Sequence, residues 1–130
     1  MNEPAYYGRI AFLIWAATPE RPDLVVTPLV HALAASALDC QVEIHFAGPA
    51  VRWLVEGVAD ASYATAAQEQ SIGDWLLKVS AAGIPLFACS MARAAWVSED
   101  ETLIAQYSGA AGATAFVART LDPQWHTMVF

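Results

Sequence analysis

RIAFLIW, at residues 9–15, is the stretch that most strongly decides the fold. It is almost continuously apolar, and β-branched and aromatic side chains are frequent in it. Such a run is typical of a strand buried on both faces, as the strands of a parallel sheet are. A turn-rich loop with two prolines follows at residues 16–22. The first strand is therefore expected to lie inside a sheet, with a helix beginning shortly after it.

Helix-like and strand-like patterns then alternate to the end of the chain. The sequence predicts helices at residues 23–38, 51–56, 72–82, 90–96 and 112–121, and strands at 41–47, 84–89 and 125–130. Residues 103–107 fit either a short strand or a helical turn. Strands separated by helices through short connections favour a mainly parallel sheet of about five strands with helices on both faces. The expected fold is a three-layer α/β/α sandwich in a single domain spanning residues 1–130.

Two local features of this pattern have alternative interpretations. Pro28 lies inside the first predicted helix, so either the helix kinks there or Thr27 caps a new helical start. Residues 41–47 alternate, with apolar side chains on one face and polar ones, including Glu43 and His45, on the other. A strand with one polar face is expected near an edge of the sheet or at an interface, with Glu43 and His45 joined by a hydrogen bond at that surface.

Composition and charge exclude some partners and favour others. The chain has 130 residues, a net charge of −7 and a single lysine, Lys78. Binding to a nucleic-acid backbone or an anionic membrane surface requires a basic patch, and the sequence has none. Hydrophobic residues make up 57% and charged residues 15% of the chain. This apolar surplus favours a homo-oligomer with buried subunit interfaces.

The sequence also bears on the compartment. Residues 1–4 lack the positive charge and the cleavage site of a signal peptide. No apolar stretch is long enough for a membrane span. The only cysteines are Cys40 and Cys89, which is unlike a secreted disulfide scaffold. We therefore expect a cytoplasmic protein with reduced thiols.

Cys89 is the strongest candidate for a reactive residue. It ends the predicted strand 84–89, and a predicted helix begins at Ser90. In α/β sheets, reactive groups collect at the carboxyl ends of strands, and a helix N-terminus stabilises a thiolate. Arg93, one turn into the helix, would add positive charge, and Ser90 would cap the helix or hydrogen-bond the sulfur. Trp15, at the end of the first strand, would shield the sulfur from water if the two strands are neighbours.

A purely structural role for Cys89 is the alternative, because free cysteine often packs as a small hydrophobe. Cys40 lies where a helix ends and a strand begins, at the opposite edge of the sheet, and is interpreted as structural. It is therefore poorly placed to resolve an intermediate on Cys89 within one subunit.

Other kinds of site are not supported by the sequence. His31, His45 and His126 are scattered and lack the spacing of metal ligands. The chain has no G-x-S-x-G elbow and no phosphate-binding glycine motif; the glycine-rich segment 109–113 does not follow the first strand. We therefore expect neither a metal nor an organic cofactor.

Several segments, taken in order, resemble the DsrE/DsrF-like family of small sulfur-relay proteins. They are the opening strand 9–15, the helix end AASALD at 34–39, the strand VEIHFAGP at 42–49, the segment GIPLFAC at 83–89, the segment GAAGA at 109–113, and the closing strand. The resemblance implies an α/β/α sandwich that assembles into trimers or hexamers. It also implies that a cysteine after the third long strand, Cys89 here, carries a persulfide between sulfur donor and acceptor proteins.

Three functions are compatible with these observations. The first is a sulfur carrier or sulfurtransferase component that accepts sulfane sulfur on Cys89 by exchange chemistry. The second is a non-catalytic oligomeric module that binds a ligand or protein at the strand ends or at the face around Glu43 and His45. The third is a cysteine hydrolase, which requires a histidine base near Cys89 that the sequence does not obviously provide.

Overall fold

Residues 8–130 are described here by a computed structural model, and they form one five-stranded sheet with four α-helices and a short 3-10 helix. Residues 1–4, for which no signal peptide is predicted, lie outside the described residues. In chain order the elements are β1 Arg9–Ile14, α1 Pro22–Ala37, β2 Gln41–Phe46, the 3-10 helix Gly48–Leu54, α2 Ile72–Ala81, β3 Leu86–Ala88, α3 Ser90–Trp96, β4 Tyr107–Ala110, α4 Ala113–Leu121 and β5 Trp125–Val129.

The sheet has the strand order β4-β3-β2-β1-β5, and every neighbouring pair is parallel. The chain steps in one direction from β1 to β4 and then crosses back to place β5 on the far side of β1. Since parallel crossovers are right-handed, this reversal puts α4 on the opposite face from α1, α2 and α3. The predicted α/β class with a parallel sheet is confirmed.

The two faces of the sheet have separate apolar cores. Phe12 and Ile14 of β1 belong to a large core cluster that includes residues of α1, α2 and α3. Ala11 belongs to a small cluster with Phe116 of α4 and Trp125 of β5. Consecutive residues of a strand point to opposite faces, which explains this division. We call the first surface the three-helix face and the second the α4 face.

The helices of the three-helix face begin and end at recognisable sequence signals. Pro28 lies within α1 and is buried there, so α1 is one helix that contains the proline. Ser71 and Asp74 form a reciprocal capping box at the start of α2, which satisfies two otherwise unpaired amides. Gly83, with φ of 83°, follows that helix, as a residue free to adopt positive φ does. None of the helices in residues 8–130 has the length and apolar character of a membrane span.

Two sequence-based expectations about the sheet are wrong. The strand with the polar face, β2, lies in the middle of the sheet between β1 and β3, not at an edge. The expected hydrogen bond between Glu43 and His45 is present, but both side chains are buried beneath α4 and the pair does not lie at the surface. The fourth strand is Tyr107–Ala110, whereas residues 103–107 were expected to form either a short strand or a helical turn. Its sequence, YSGA, has too few apolar side chains to be recognised as a strand.

Candidate functional site

Cys89 lies directly after β3 and is the N-cap residue of α3. Its backbone nitrogen donates a hydrogen bond to the carbonyl oxygen of Phe46 at 3.0 Å, which continues the β2–β3 ladder one residue beyond the strand. The thiol is free and partly buried. The expectation that Cys89 stands between a strand end and a helix start is confirmed. Because α3 has only seven residues, its dipole contributes little to the site by itself.

A cavity of about 160 Å³ opens beside the thiol at the carboxyl ends of β1, β2 and β3, under the first turns of α4. It is smaller than the roughly 300–1,000 Å³ typical of sites for drug-sized ligands, and it is lined almost wholly by apolar atoms. It has room for a group of only a few heavy atoms. Its walls are formed by Leu13, His45, Phe46, Ala47, Cys89, Ala111, Gly112, Ala113, Phe116 and Val117.

His45 is the polar side chain in this wall. It is 4% exposed, and its ring packs against Phe87 of β3 at 5.3 Å and Phe116 of α4 at 5.4 Å between centroids. His45 Nε2 lies 2.9 Å from Glu43 Oε1. An ionised carboxylate only accepts hydrogen bonds, so Nε2 carries the proton and donates it to Glu43. The other ring nitrogen, Nδ1, is buried and has no hydrogen-bond partner.

Glu43 is held from its other side by Arg119 of α4. Arg119 Nε donates to Oε1 at 2.8 Å and Nη2 donates to Oε2 at 3.3 Å, so the contact is bidentate. The guanidinium stacks over the ring of Trp125 at 3.9 Å. Burial by itself raises the pKa of Glu43, but the hydrogen bonds from Arg119 and His45 outweigh it and leave the pKa below its ordinary value. Glu43 is therefore a carboxylate that orients His45.

The start of α4 contributes space to the cavity. Its N-cap residue is Gly112, and no side chain caps the helix there. A Cβ built at Gly112 would meet nothing within 4 Å. The small side chains of Ala111 and Ala113 flank it. The glycine-rich segment 109–113, expected to be a tight turn into the last helix, thus keeps one wall of the cavity open.

Ser90 and Arg93 are not part of this cavity. Both side chains are exposed and line a separate shallow groove along α3. Ser90 is the first residue of α3 and makes no capping hydrogen bond there, because Cys89 is the N-cap residue. The guanidinium of Arg93 lies over the ring of Tyr107 at 5.4 Å between its central carbon and the centroid. Ser90 was expected to hydrogen-bond the thiol and Arg93 to add positive charge beside it. This structure shows no contact of either residue with the thiol.

Trp15 and Cys40 lie away from the thiol. β2 separates β1 from β3, so the assumption that Trp15 ends a strand next to Cys89 is wrong. Trp15 is 53% exposed, and its backbone nitrogen bonds the carbonyl oxygen of Phe130 at 2.9 Å. Cys40 immediately precedes β2, at the amino end of the sheet. Its expected separation from Cys89 is confirmed.

The position of His45 was not predicted from the sequence. No histidine was expected near Cys89, whereas His45 and Cys89 line the same cavity. The alternation in residues 41–47 was the available signal, but it was interpreted as an exposed polar face. Arg119, which neutralises that face, is 76 residues away in sequence from Glu43. Within residues 8–130, no cluster of three or more His, Cys, Asp or Glu side chains is arranged to hold a metal ion.

The fold and the cavity define an α/β protein with a five-stranded parallel sheet and a cysteine at the carboxyl end of its third strand. The same fold is found in the YchN protein from E. coli, with a TM-score of 0.74 and 14% identity, over 95% of this chain and 99% of that one. It is also found in MTH1491 from Methanobacterium thermoautotrophicum, a protein of unknown function, with a TM-score of 0.64 and 17% identity, over 95% and 99% of the two chains. No protein-family model and no curated protein sequence matches the chain. At these identities the likeness concerns the fold.

Proposed function

We propose that this protein is a sulfur carrier or sulfurtransferase component that accepts sulfane sulfur as a persulfide on Cys89 and relays it to a partner protein. The observation that carries the proposal is the free thiol of Cys89 in the wall of a small apolar cavity shared with His45. The resemblance of the sequence to DsrE/DsrF-like sulfur-relay proteins points to the same residue. The fold shared with YchN is compatible with that resemblance.

The chemistry requires little beyond a thiolate and a protected space. A thiolate attacks the outer sulfur of a donor persulfide, the donor's S–S bond breaks, and the donor leaves as a thiol. No electrons are gained or lost overall, so the exchange requires no redox cofactor. Apolar walls suit this reaction because they keep water away from the persulfide while it waits for an acceptor.

We propose further that the chain acts as a homo-oligomer, a trimer or hexamer, which meets separate sulfur donor and acceptor proteins in the cytoplasm. Large apolar side chains on the surface support the idea of subunit contacts. The most exposed of them are Met91 at 82%, Leu38 at 62%, Leu121 at 77%, Val129 at 56% and Leu77 at 55%. Sedimentation at micromolar concentration checks this, since a mass of 13.9 kDa would contradict it.

The central test is persulfide loading followed by intact-mass spectrometry. After exposure to a small hydropersulfide donor, the parent protein and Cys40→Ser should gain the mass of one sulfur atom, while Cys89→Ser should gain none. Iodoacetamide near neutral pH should label Cys89 before Cys40, because Cys89 opens onto a cavity. Loading that survives in Cys89→Ser, or equally slow labelling of both thiols, would contradict the sulfur-carrier proposal.

The second candidate is a non-catalytic module that binds a small molecule in the same cavity. The unpartnered His45 Nδ1 favours it, because a buried acceptor without a donor is a natural contact for a ligand. A binding module would keep its ligand affinity in Cys89→Ser and would show no preferential labelling of that thiol. The two candidates are therefore separated by the loading experiment.

A further inference from the structure

The unpartnered nitrogen of His45 calls for a physical explanation. Leaving a buried polar atom without a partner lowers the stability of the fold. His45 cannot relieve this by turning its ring, because Nε2 is engaged by Glu43 at 2.9 Å and two aromatic rings hold the imidazole in place. In its neutral form the residue therefore presents Nδ1 as a bare acceptor. Such an atom is a natural proton acceptor for a neighbouring acid.

Among the residues that line the cavity, Cys89 is the one whose side chain can give a proton to His45 Nδ1. The strand register explains why the two residues lie close together. His45 pairs with Phe87 across β2 and β3, and Cys89 follows Phe87 by two residues. Side chains two apart along an extended chain emerge on the same side, so Cys89 and His45 are diagonal neighbours at the end of β3, where Cys89 also packs against the core of the three-helix face. Both line the cavity. The thiol and Nδ1 share no hydrogen bond in this structure, and catalytic hydrogen bonds are often long before a substrate is bound.

We infer that His45 is the proton acceptor for the Cys89 thiol and the proton donor to the leaving thiolate in the sulfur exchange proposed above. Glu43 and Arg119 act as positioning residues. Glu43 keeps the ring proton on Nε2 and stabilises the imidazolium once Nδ1 is protonated, as the third member of a nucleophile–base–acid arrangement does. Arg119 fixes the carboxylate by two hydrogen bonds. The inference rests on the proposed thiol chemistry of Cys89.

The charged and titratable groups around His45 are few. Its own strand contributes Glu43, α4 contributes Arg119, and the residue after β3 is Cys89. The neighbouring strands and α4 otherwise contribute apolar side chains to its surroundings, Leu13, Phe87 and Phe116. Glu43 and Arg119 together are neutral. A proton transferred from sulfur to Nδ1 therefore creates an imidazolium–thiolate pair in largely apolar surroundings, where the attraction is strong.

The proton and the sulfur balance over the cycle. The Cys89 thiol gives its proton to Nδ1, and the thiolate attacks the outer sulfur of a small hydropersulfide. The new S–S bond forms on Cys89 as the donor's S–S bond breaks with its electron pair going to the leaving thiolate. His45 then returns the proton to that thiolate. Cys89 ends as a hydropersulfide, the donor ends as a thiol, and His45 is neutral again.

The test is the pH profile of Cys89 alkylation in the full chain carrying Cys40→Ser, so that one thiol is measured. With His45 present, iodoacetamide should react rapidly down to mildly acidic pH. In His45→Gln, which preserves bulk and can still donate to Glu43, the rate should follow an ordinary thiol. The rate near neutral pH should be slower by up to about 30-fold, since an ordinary thiol is only a few per cent thiolate there. His126→Gln, a change at an exposed histidine on β5, should leave the profile unchanged.

A second measurement decides the matter even if His45→Gln fails to fold. The ultraviolet absorbance of the thiolate is followed against pH in Cys40→Ser, with Cys40→Ser/Cys89→Ser subtracted. Thiolate that persists at mildly acidic pH supports the inference, and its absence there overturns it. A profile unchanged in His45→Gln also overturns it. If the profile is unchanged but a hydropersulfide still loads Cys89, only the role of His45 fails. If nothing loads, the proposed function fails while the profile still decides whether His45 is a base.

Discussion

The two faces of the sheet are built on different principles. The three-helix face is packed by α1, α2 and α3 with wholly apolar side chains such as Phe12, Ile14 and Leu76. The α4 face has one helix, a core cluster of only three buried residues, and two buried polar side chains, His45 and Glu43, of which Glu43 is paired with the partly exposed Arg119. The cavity lies on the second face, and Cys89 lines it while also packing against the core of the first. Most of the apolar core and the buried polar side chains therefore lie on opposite sides of the same strands.

This difference shows how a small domain accommodates buried polar groups. Burying a carboxylate and an imidazole lowers stability unless both are paired. Here the three-helix face provides the apolar burial. The α4 face is left with one cavity and one unpartnered nitrogen.

The largest expected effect tests this division directly with two adjacent, isomeric side chains of β1. Ile14 is fully buried on the three-helix face, whereas Leu13 is half-buried in the cavity wall on the α4 face. Ile14→Ala should lower the free energy of unfolding by about 2–5 kcal/mol, because it opens a new void in a close-packed core. Leu13→Ala should cost less than half as much, since it enlarges a space that already exists. Urea unfolding of both variants measures this, and equal losses would contradict the comparison.

The sequence predicted the three-helix face better than the α4 face, and the reason is physical. Strands and helices of the first are marked by local apolar patterns, as residues 9–15 and the helix after Ser71 show. The position of Cys89 was likewise predicted from the residues beside it. The contact between Glu43 and Arg119 joins residues 76 positions apart, so no local pattern announces it. β4 was misplaced because it takes its strand conformation from pairing with β3, not from its own side chains.

The next effect concerns the buried ion pair of the α4 face. Arg119→Met keeps most of the side chain over Trp125 but leaves the Glu43 carboxylate with His45 as its remaining hydrogen-bond partner. The expected loss is about 1–3 kcal/mol at neutral pH, the cost of an underpaired buried group. Arg119 is 37% exposed, which moderates the loss because water partly screens the pair.

The direction in which the stability of Arg119→Met changes with pH can also be predicted. The pKa of Glu43 lies below its ordinary value of 4.5, so the ion pair stabilises the fold above that pH. The contribution is lost as the pH falls through the lower folded-state value. In Arg119→Met, burial still raises the pKa of Glu43, but the hydrogen bonds from Arg119 that lower it are gone. Acid unfolding should therefore begin at a higher pH than in the parent. Circular dichroism during acid titration measures it; coincident curves would show that Arg119 does not set the charge of Glu43.

The smallest effect is expected for a part-buried ion pair outside the α4 face, whose carboxylate is more exposed than that of Glu43. Arg52 of the 3-10 helix binds Glu101 bidentately, with both distances at 2.9 Å. Hydrogen bonds from Arg52 and from the backbone of Ser98 lower the pKa of Glu101 to about 2. Glu101→Gln should destabilise the protein less than Arg119→Met, and added salt should narrow its difference from the parent.

Measuring the free energy of unfolding at acidic pH checks this smaller effect. The contribution of the Glu101 carboxylate is complete above its ordinary pKa of 4.5 and disappears as the pH falls towards 2. The parent and Glu101→Gln should therefore converge in stability at strongly acidic pH. A loss as large as that of Arg119→Met, insensitive to salt, would contradict the distinction between a pair with a buried carboxylate and one with a partly exposed carboxylate.

The single helix of the α4 face has a consequence for how the site opens. Phe116, Arg119 and one wall of the cavity all belong to α4 or to its first turn. A local opening that detaches this helix would remove three things at once. They are Arg119, the counter-ion of Glu43; Phe116, an aromatic neighbour of His45; and the cavity wall formed by α4. Such subglobal openings have their own free energies, lower than that of complete unfolding. While the helix is detached, the thiol would be open to large molecules, and the other face of the sheet would stay folded.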